Sequence, residues 1–292
     1  MPLLPVLLIL ASCFLHAGWN LLLRRRRREL VFLRHMLILT VPVGALAIGL
    51  AGLFPHSFPP RAWACVAASG AITGAYYWFL GLAYGSSDFT VVYPVARALP
   101  VLMVASIDVA RGRPPNTAGW LGMALVVAGC MLAPQSSYRG FTWRRYHARD
   151  ILWIVLTAAT IAGFTTFDKV AAEAMSRGPA SAAVYCGWFH ILSCVSYLGI
   201  MALVGRLREE GGREVGWGWP AVGAAMGFVC YLLVLWAYQM APQTGYLLAF
   251  RQFSIVIGVV AAFRIYRERG LAVRLPATAA IVGGLVLVAL LG

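Results

Sequence analysis

Two arginines stand deep in apolar chain. Arg97 lies within VVYPVARALPV and Arg251 within LLAFRQFSIV. A guanidinium keeps its proton in proteins, so each charge must be met by a partner, by water or by a ligand. Charges at such depth usually face a bundle interior or a wet cavity, although a long side chain can also snorkel to an interface. Tyrosines accompany both. Tyr77, Tyr84 and Arg97 are spaced by 7 and then 13 residues, and Tyr231, Tyr238 and Arg251 repeat that spacing 154 residues further on. At helical spacing Tyr93 shares a face with Arg97, and His16, Trp19 and Asn20 form a polar and aromatic stripe in the first apolar run. Aromatic walls, a few hydroxyls and paired cations suit the binding of a small amphipathic anion or zwitterion. Packing of the same tyrosines in a core is the plainer alternative.

The missing residue types narrow the chemistry. Asp88, Asp108, Asp150, Glu173, Glu209 and Glu210 fall at the ends of apolar runs or between them. Asp168 is the nearest exception, but Lys169 follows it, and the pair is expected near a helix end. The compensating group for the arginines is therefore expected to be a carboxylate or phosphate on a bound solute, a tyrosine hydroxyl, or water. Within the apolar runs, His16 and His190 offer a route for proton coupling, since histidine titrates near neutrality, with facilitated or exchange transport as the alternative. Pro94 and Pro100 flank Arg97; each removes a backbone donor, which loosens or kinks a helix beside the charge and suits a hinge. Cys13, Cys65, Cys130, Cys186, Cys194 and Cys230 sit inside apolar runs at no metal-ligand spacing and read as packing residues. No metal, no cofactor and no catalytic residue is expected. A nucleophile elbow, a phosphate loop and a metal-ligand helix are all missing from the sequence.

These residues need a scaffold, and composition supplies one. Of the 292 residues 61% are hydrophobic and 12% charged, against roughly a quarter charged in a soluble domain. Ten apolar runs recur, at 3–23, 31–53, 62–84, 89–109, 117–134, 150–173, 180–204, 217–240, 244–265 and 273–292. Each approaches the ~20 residues that carry a helix across a ~30 Å hydrocarbon layer. The expectation is an all-α membrane protein of ten transmembrane helices, with almost nothing outside the bilayer. LASC at 10–13 has the form of a lipoprotein box, but no basic segment precedes it, so the first run is expected to stay as a helix. The net charge of +14 lies mainly in arginines of the short loops, which points to membrane lipids rather than nucleic acid.

The spacing of tyrosines and arginine is one trace of an internal repeat. Gly129 and Gly283 match at the same offset of 154, and HAGWNLLLR (16–24) matches IAGFTTFDK (161–169) at an offset of 145. The chain divides into a first five-helix repeat (1–134), a basic linker (135–149) and a second repeat (150–292). Five is odd, so the second copy must enter the membrane from the other side. Basic residues agree: they concentrate after the first helix (Arg24 to Arg28, Arg34), in the linker, and after the seventh and ninth helices. The positive-inside rule then places those loops in the cytoplasm and both termini outside. Inverted repeats of this kind hold a binding site near mid-membrane, where the halves meet.

HAGWN followed by basic residues, VYPVARALPV, and the W-L-G…V-V-A-G pattern of the fifth run resemble the EamA branch of the drug/metabolite transporter superfamily. The second copy is degenerate: Phe164 and Thr165 replace the Trp-Asn pair, and Leu248 stands where the first copy has proline. The resemblance implies two inverted five-helix bundles around a central cavity that opens alternately to each side. It also implies export of small metabolites such as amino acids, a place in the bacterial inner membrane, and cytoplasmic termini, opposite to the charge count. A lipid or lipid-linked sugar flippase of the same superfamily and a membrane-embedded enzyme on lipid-linked substrates are the alternatives. A monomer is expected, with small-residue faces in the fifth and tenth helices that would also serve a homodimer.

Overall fold

The computed structural model describes residues 2–24, 29–86, 89–133, 148–207, 215–266 and 271–292. Eleven helices occupy them: α1 (Leu3–Arg24), α2 (Glu29–Ala51), α3 (Pro60–Ser86), α4 (Phe89–Ala110), α5 (Thr117–Leu132), α6 (Ala148–Ala174), α7 (Pro179–Leu203), α8 (Gly218–Tyr238), α9 (Thr244–Arg251), α10 (Phe253–Tyr266) and α11 (Leu271–Leu291). Helices α9 and α10 are two pieces of one apolar run, so ten runs give ten rods. Seven helices among the described residues are long and apolar enough to cross a membrane. Side chains such as Leu3, Leu46, Leu203 and Leu290 stand exposed on the outer surface, where lipid and not water would cover them. The chain is an α-helical, multi-pass membrane protein.

Local chemistry sets the ends. Pro60 and Pro179 open α3 and α7, where a missing N–H costs nothing. Asn116 caps α5, its Oδ1 accepting from Gly119 N at 2.7 Å. Within the rods, hydroxyls turn back on carbonyls one turn earlier, as Thr157 does to Trp153 O and Thr166 to Ala162 O, both at 2.7 Å. That keeps these two hydroxyls from standing bare toward hydrocarbon.

Pro94 and Pro100 leave α4 helical from end to end. The interruption falls instead in the second half, at Gln252, where no proline stands. Side chains collect the carbonyls near the break: Gln252 Nε2 donates to Leu248 O at 3.1 Å, Ser254 Oγ to Arg251 O at 2.9 Å, and Cys13 Sγ to Phe250 O at 3.5 Å. Irregular backbone at this depth persists because it is buried in protein with its polar groups met.

Packing between the rods follows a pattern. α1 lies along α8 and α3 along α6; α2 packs on α7 and α5 on α11; α4 packs on α6, while α9 and α10 pack on α1. Several crossings are close enough to require glycine, and two of them are reciprocal. A Cβ on Gly122 would come 2.7 Å from Gly284 O, and one on Gly284 would come 2.4 Å from Gly122 O. Further along, a Cβ on Gly129 would meet Ala277 O at 2.6 Å, so α5 and α11 run antiparallel. Gly44 and Gly187 meet in the same reciprocal way where α2 crosses α7. By contrast, nothing lies within 4 Å of a Cβ added to Gly283.

Gly122→Ala is therefore expected to destabilise the protein by about 1–3 kcal/mol, the usual cost of overpacking against an immovable neighbour. Gly283→Ala should stay within about 0.5 kcal/mol of the parent. Thermal unfolding of both variants in detergent checks this, and equal midpoints would remove the close crossing.

Candidate functional site

A cavity of ≈ 60 Å³ lies among α1, α3, α4, α6, α7, α8 and the α9–α10 break. From α1 come His16 and Trp19, whose rings meet edge to face at 5.2 Å. From α3 come Thr73, Tyr76 and Tyr77; from α4, Pro100; from α6, Ile161 and Phe164. α7 supplies Phe189 and His190, α8 supplies Gly227, Cys230 and Tyr231, and the broken rod supplies Leu248, Arg251 and Gln252. Aromatic rings dominate the wall, with Phe189 stacked on Tyr231 at 4.4 Å. Two buried polar atoms in the lining, Thr73 Oγ1 and Gln252 Oε1, have no hydrogen-bond partner among the described residues. A buried acceptor left so is costly unless water or a ligand meets it.

The lining is paired along the chain. His16 and Ile161, and Trp19 and Phe164, stand 145 residues apart; Thr73 and Gly227, Tyr76 and Cys230, and Tyr77 and Tyr231 stand 154 apart. These are the two offsets noted in the sequence, and residues so spaced meet at one cavity, with different side chains at most of the paired positions.

Arg251 ends α9, where the negative end of the helix favours a cation. Its guanidinium carbon lies 5.8 Å from the centroid of the Tyr231 ring, within cation–π range. The Tyr231 hydroxyl in turn donates to Asp168 Oδ2. Asp168 is 0% exposed. Its Oδ1 accepts from Ser69 Oγ at 2.5 Å and from Tyr185 OH at 2.8 Å. Three hydroxyl donors on one carboxyl is the pattern that an ionised, acceptor-only group takes. The Arg251 charge reaches this carboxylate across the Tyr231 ring.

Here the sequence expectation is corrected. A buried carboxylate does sit beside the cavity, bonded to the hydroxyl of the lining residue Tyr231. Lys169 lies next to it with its own ammonium satisfied internally. Its Nζ donates to Tyr238 O at 2.7 Å and Ala241 O at 2.5 Å, at the end of α8, and lies 3.1 Å from Glu173 Oε1. Glu173 also receives Arg111 at 2.6 Å and Arg113. This ion-pair group belongs to the face formed by the loops after α2, α4, α6 and α8. Ser57 and Ser176 cross-link there, each backbone N–H donating to the other's Oγ, and Gly178 N donates to Gln239 Oε1 at 2.8 Å.

Of the expected site residues, His16, Trp19, Tyr77, Tyr231, Arg251 and Pro100 line the cavity. Asn20 stands outside it and donates back to His16 O at 2.8 Å. Tyr238 lies behind the lining, its hydroxyl beside Arg251 and Thr165. The side chains of Tyr84, Tyr93, Pro94 and Arg97 lie outside the described residues, so the pairing of Arg97 with Arg251 has no structural counterpart here. Sequence reasoning missed Ser69, Tyr185, Phe189 and Gln252. One signal was present for Asp168: an acid inside an apolar run, 145 residues after Leu23.

No protein-family model matches the chain, and no curated protein matches it. Chains of solved structures do match it, among them a crystal structure that aligns over 98% of this chain and 98% of its own, at 19% identity and a TM-score of 0.73. At that identity the likeness concerns the fold.

Removing one donor from Asp168 should be felt as a lost bond to a charged group. Tyr185→Phe is expected to cost about 1.5–3 kcal/mol of stability, and Tyr246→Phe, whose hydroxyl meets only the Asn116 N–H at 3.2 Å, about 1 kcal/mol. Denaturation of the two variants in detergent gives the order; the reverse order contradicts an ionised Asp168.

Proposed function

We propose that the protein is an alternating-access transporter of small metabolites, in which two inverted five-helix repeats share one central site. The observation that carries this reading is the paired cavity lining: both halves contribute equivalent positions to one polar, aromatic pocket that holds a buried cation. The packing supports the inversion. Exchanging the halves turns the α1–α8 contact into α6–α3, maps the α2–α7 and antiparallel α5–α11 crossings onto themselves, and turns α4–α6 into the contact of the broken rod with α1. An inverted repeat built about an axis in the membrane plane has these relations.

The cavity chemistry favours an amino acid or related organic anion. Arg251 offers a charge to a carboxylate, Thr73, Gln252 and His190 offer polar contacts, and the rings of Trp19, Tyr76, Phe164 and Phe189 suit an apolar side group. His190 Nδ1 faces Cys186 O at 2.8 Å and so carries the proton there, which leaves Nε2 of the neutral ring as an acceptor. The EamA-like motifs add the direction, export across the inner membrane.

Counterflow in proteoliposomes tests the reading. Arg251→Ala should slow exchange of labelled amino acids or organic anions at least about tenfold, the scale of one lost charge-assisted contact. Arg206→Ala, an exposed residue whose guanidinium lies over Trp78 at 5.9 Å, should change it less than about twofold. Equal effects would take Arg251 out of the site.

A further inference from the structure

We propose that Asp168 is a proton-binding site coupled to the cavity, so that a proton and an anionic solute bind together and cross together. This rests on the reading of the cavity as an anion site and adds its coupling ion.

The geometry links the two sites through one residue. Tyr231 lines the cavity, lies under Arg251, and donates its hydroxyl proton to Asp168 Oδ2. An anion placed on Arg251 is repelled by the ionised Asp168 through this short path in a poorly polarisable interior. Binding a proton on Oδ2 removes that repulsion. The new O–H donates to the Tyr231 oxygen, which reverses one hydrogen bond and frees the Tyr231 proton to point at the cavity. Oδ1 keeps Ser69 and Tyr185 as donors. The carboxyl gains one proton, Tyr231 keeps its own, and no other bond changes. By linkage, whatever factor the proton adds to anion affinity, the anion adds to proton affinity.

The surroundings of Asp168 favour this group as the carrier. Cys65 and Ser69 face it from α3, Tyr185 and Cys186 from α7, Tyr231 and Tyr238 from α8, and Arg251 from α9. None of these but Arg251 is charged near neutrality. Lys169, next in the chain, has its ammonium on Tyr238 O, Ala241 O and Glu173. Arg111 and Arg113, after α4, are both held by Glu173. Arg251 is thus the one cation that senses the Asp168 charge among these groups. The two cavity histidines are the rival titrating groups.

Two readouts on purified protein test the proposal, with phenylpyruvate as the probe because it stays an anion across the usable pH range. Infrared difference spectra between alkaline and acidic pH should show a protonated carboxyl band that Asp168→Asn removes. The rise in melting temperature with phenylpyruvate should report an affinity about tenfold or more higher at acidic pH, within the span of ordinary coupling. In Asp168→Asn, which mimics the protonated group, affinity should be high and equal at both pH values. Tyr231→Phe, which keeps the ring but cuts the link, should shrink the pH effect and serves if Asp168→Asn does not fold. A probe affinity independent of pH in the parent protein overturns the coupling. So does a pH effect that survives Asp168→Asn and disappears in His190→Gln or His16→Gln. If phenylpyruvate stabilises the protein at no pH, the anion site itself fails and the coupling with it; the infrared band then still reports whether Asp168 titrates.

Discussion

A fully buried carboxylate and a half-buried guanidinium, placed on either side of one tyrosine, are the constraint that organises this structure. Either charge alone in such surroundings would cost several kcal/mol. Asp168 is held by Ser69, Tyr185 and Tyr231, and Arg251 by the face of Tyr231 and the end of α9. Satisfying both draws α3, α6, α7, α8 and α9 to one point. The cavity is what remains beside that point, and its small polar inventory follows from the residues that the charges gather.

The scaffold is symmetric where it packs and asymmetric where it does chemistry. Glycine crossings at Gly44–Gly187 and Gly122–Gly284 bring paired helices close. In the cavity lining, positions 145 residues apart differ: Trp19 is matched with Phe164 and His16 with Ile161, and behind the lining Asp168 is matched with Leu23. The second half also carries the helix break. A break directly after Arg251 gives the charge a helix end of its own, which a continuous rod such as α4 does not offer at the corresponding depth.

Much of this was legible in the residues. Ten apolar runs of near-spanning length correspond to ten rods because lipid leaves a helix as the form in which a lone segment can satisfy its backbone. The tyrosine and arginine spacing picked out Tyr77, Tyr231 and Arg251, which line the cavity. Asp168 does lie within two turns of the end of α6, but its burial was not legible: the Lys169 ammonium is taken up by carbonyls at the end of α8, a contact between segments about seventy residues apart that no local pattern displays. The break at Gln252 was equally hidden. Prolines marked a hinge in α4, but the interruption arose where Cys13, Gln252 and Ser254 can take the carbonyls near it.

The central claim is that Asp168 and Arg251 compensate each other through Tyr231. A double-mutant cycle on unfolding free energy, with Asp168→Asn, Arg251→Gln and the two together, measures this directly. The account predicts that the double variant loses less than the two single losses combined, by about 0.5–3 kcal/mol. Losses that add to within about 0.5 kcal/mol would mean that the two charges do not sense one another, and would contradict it.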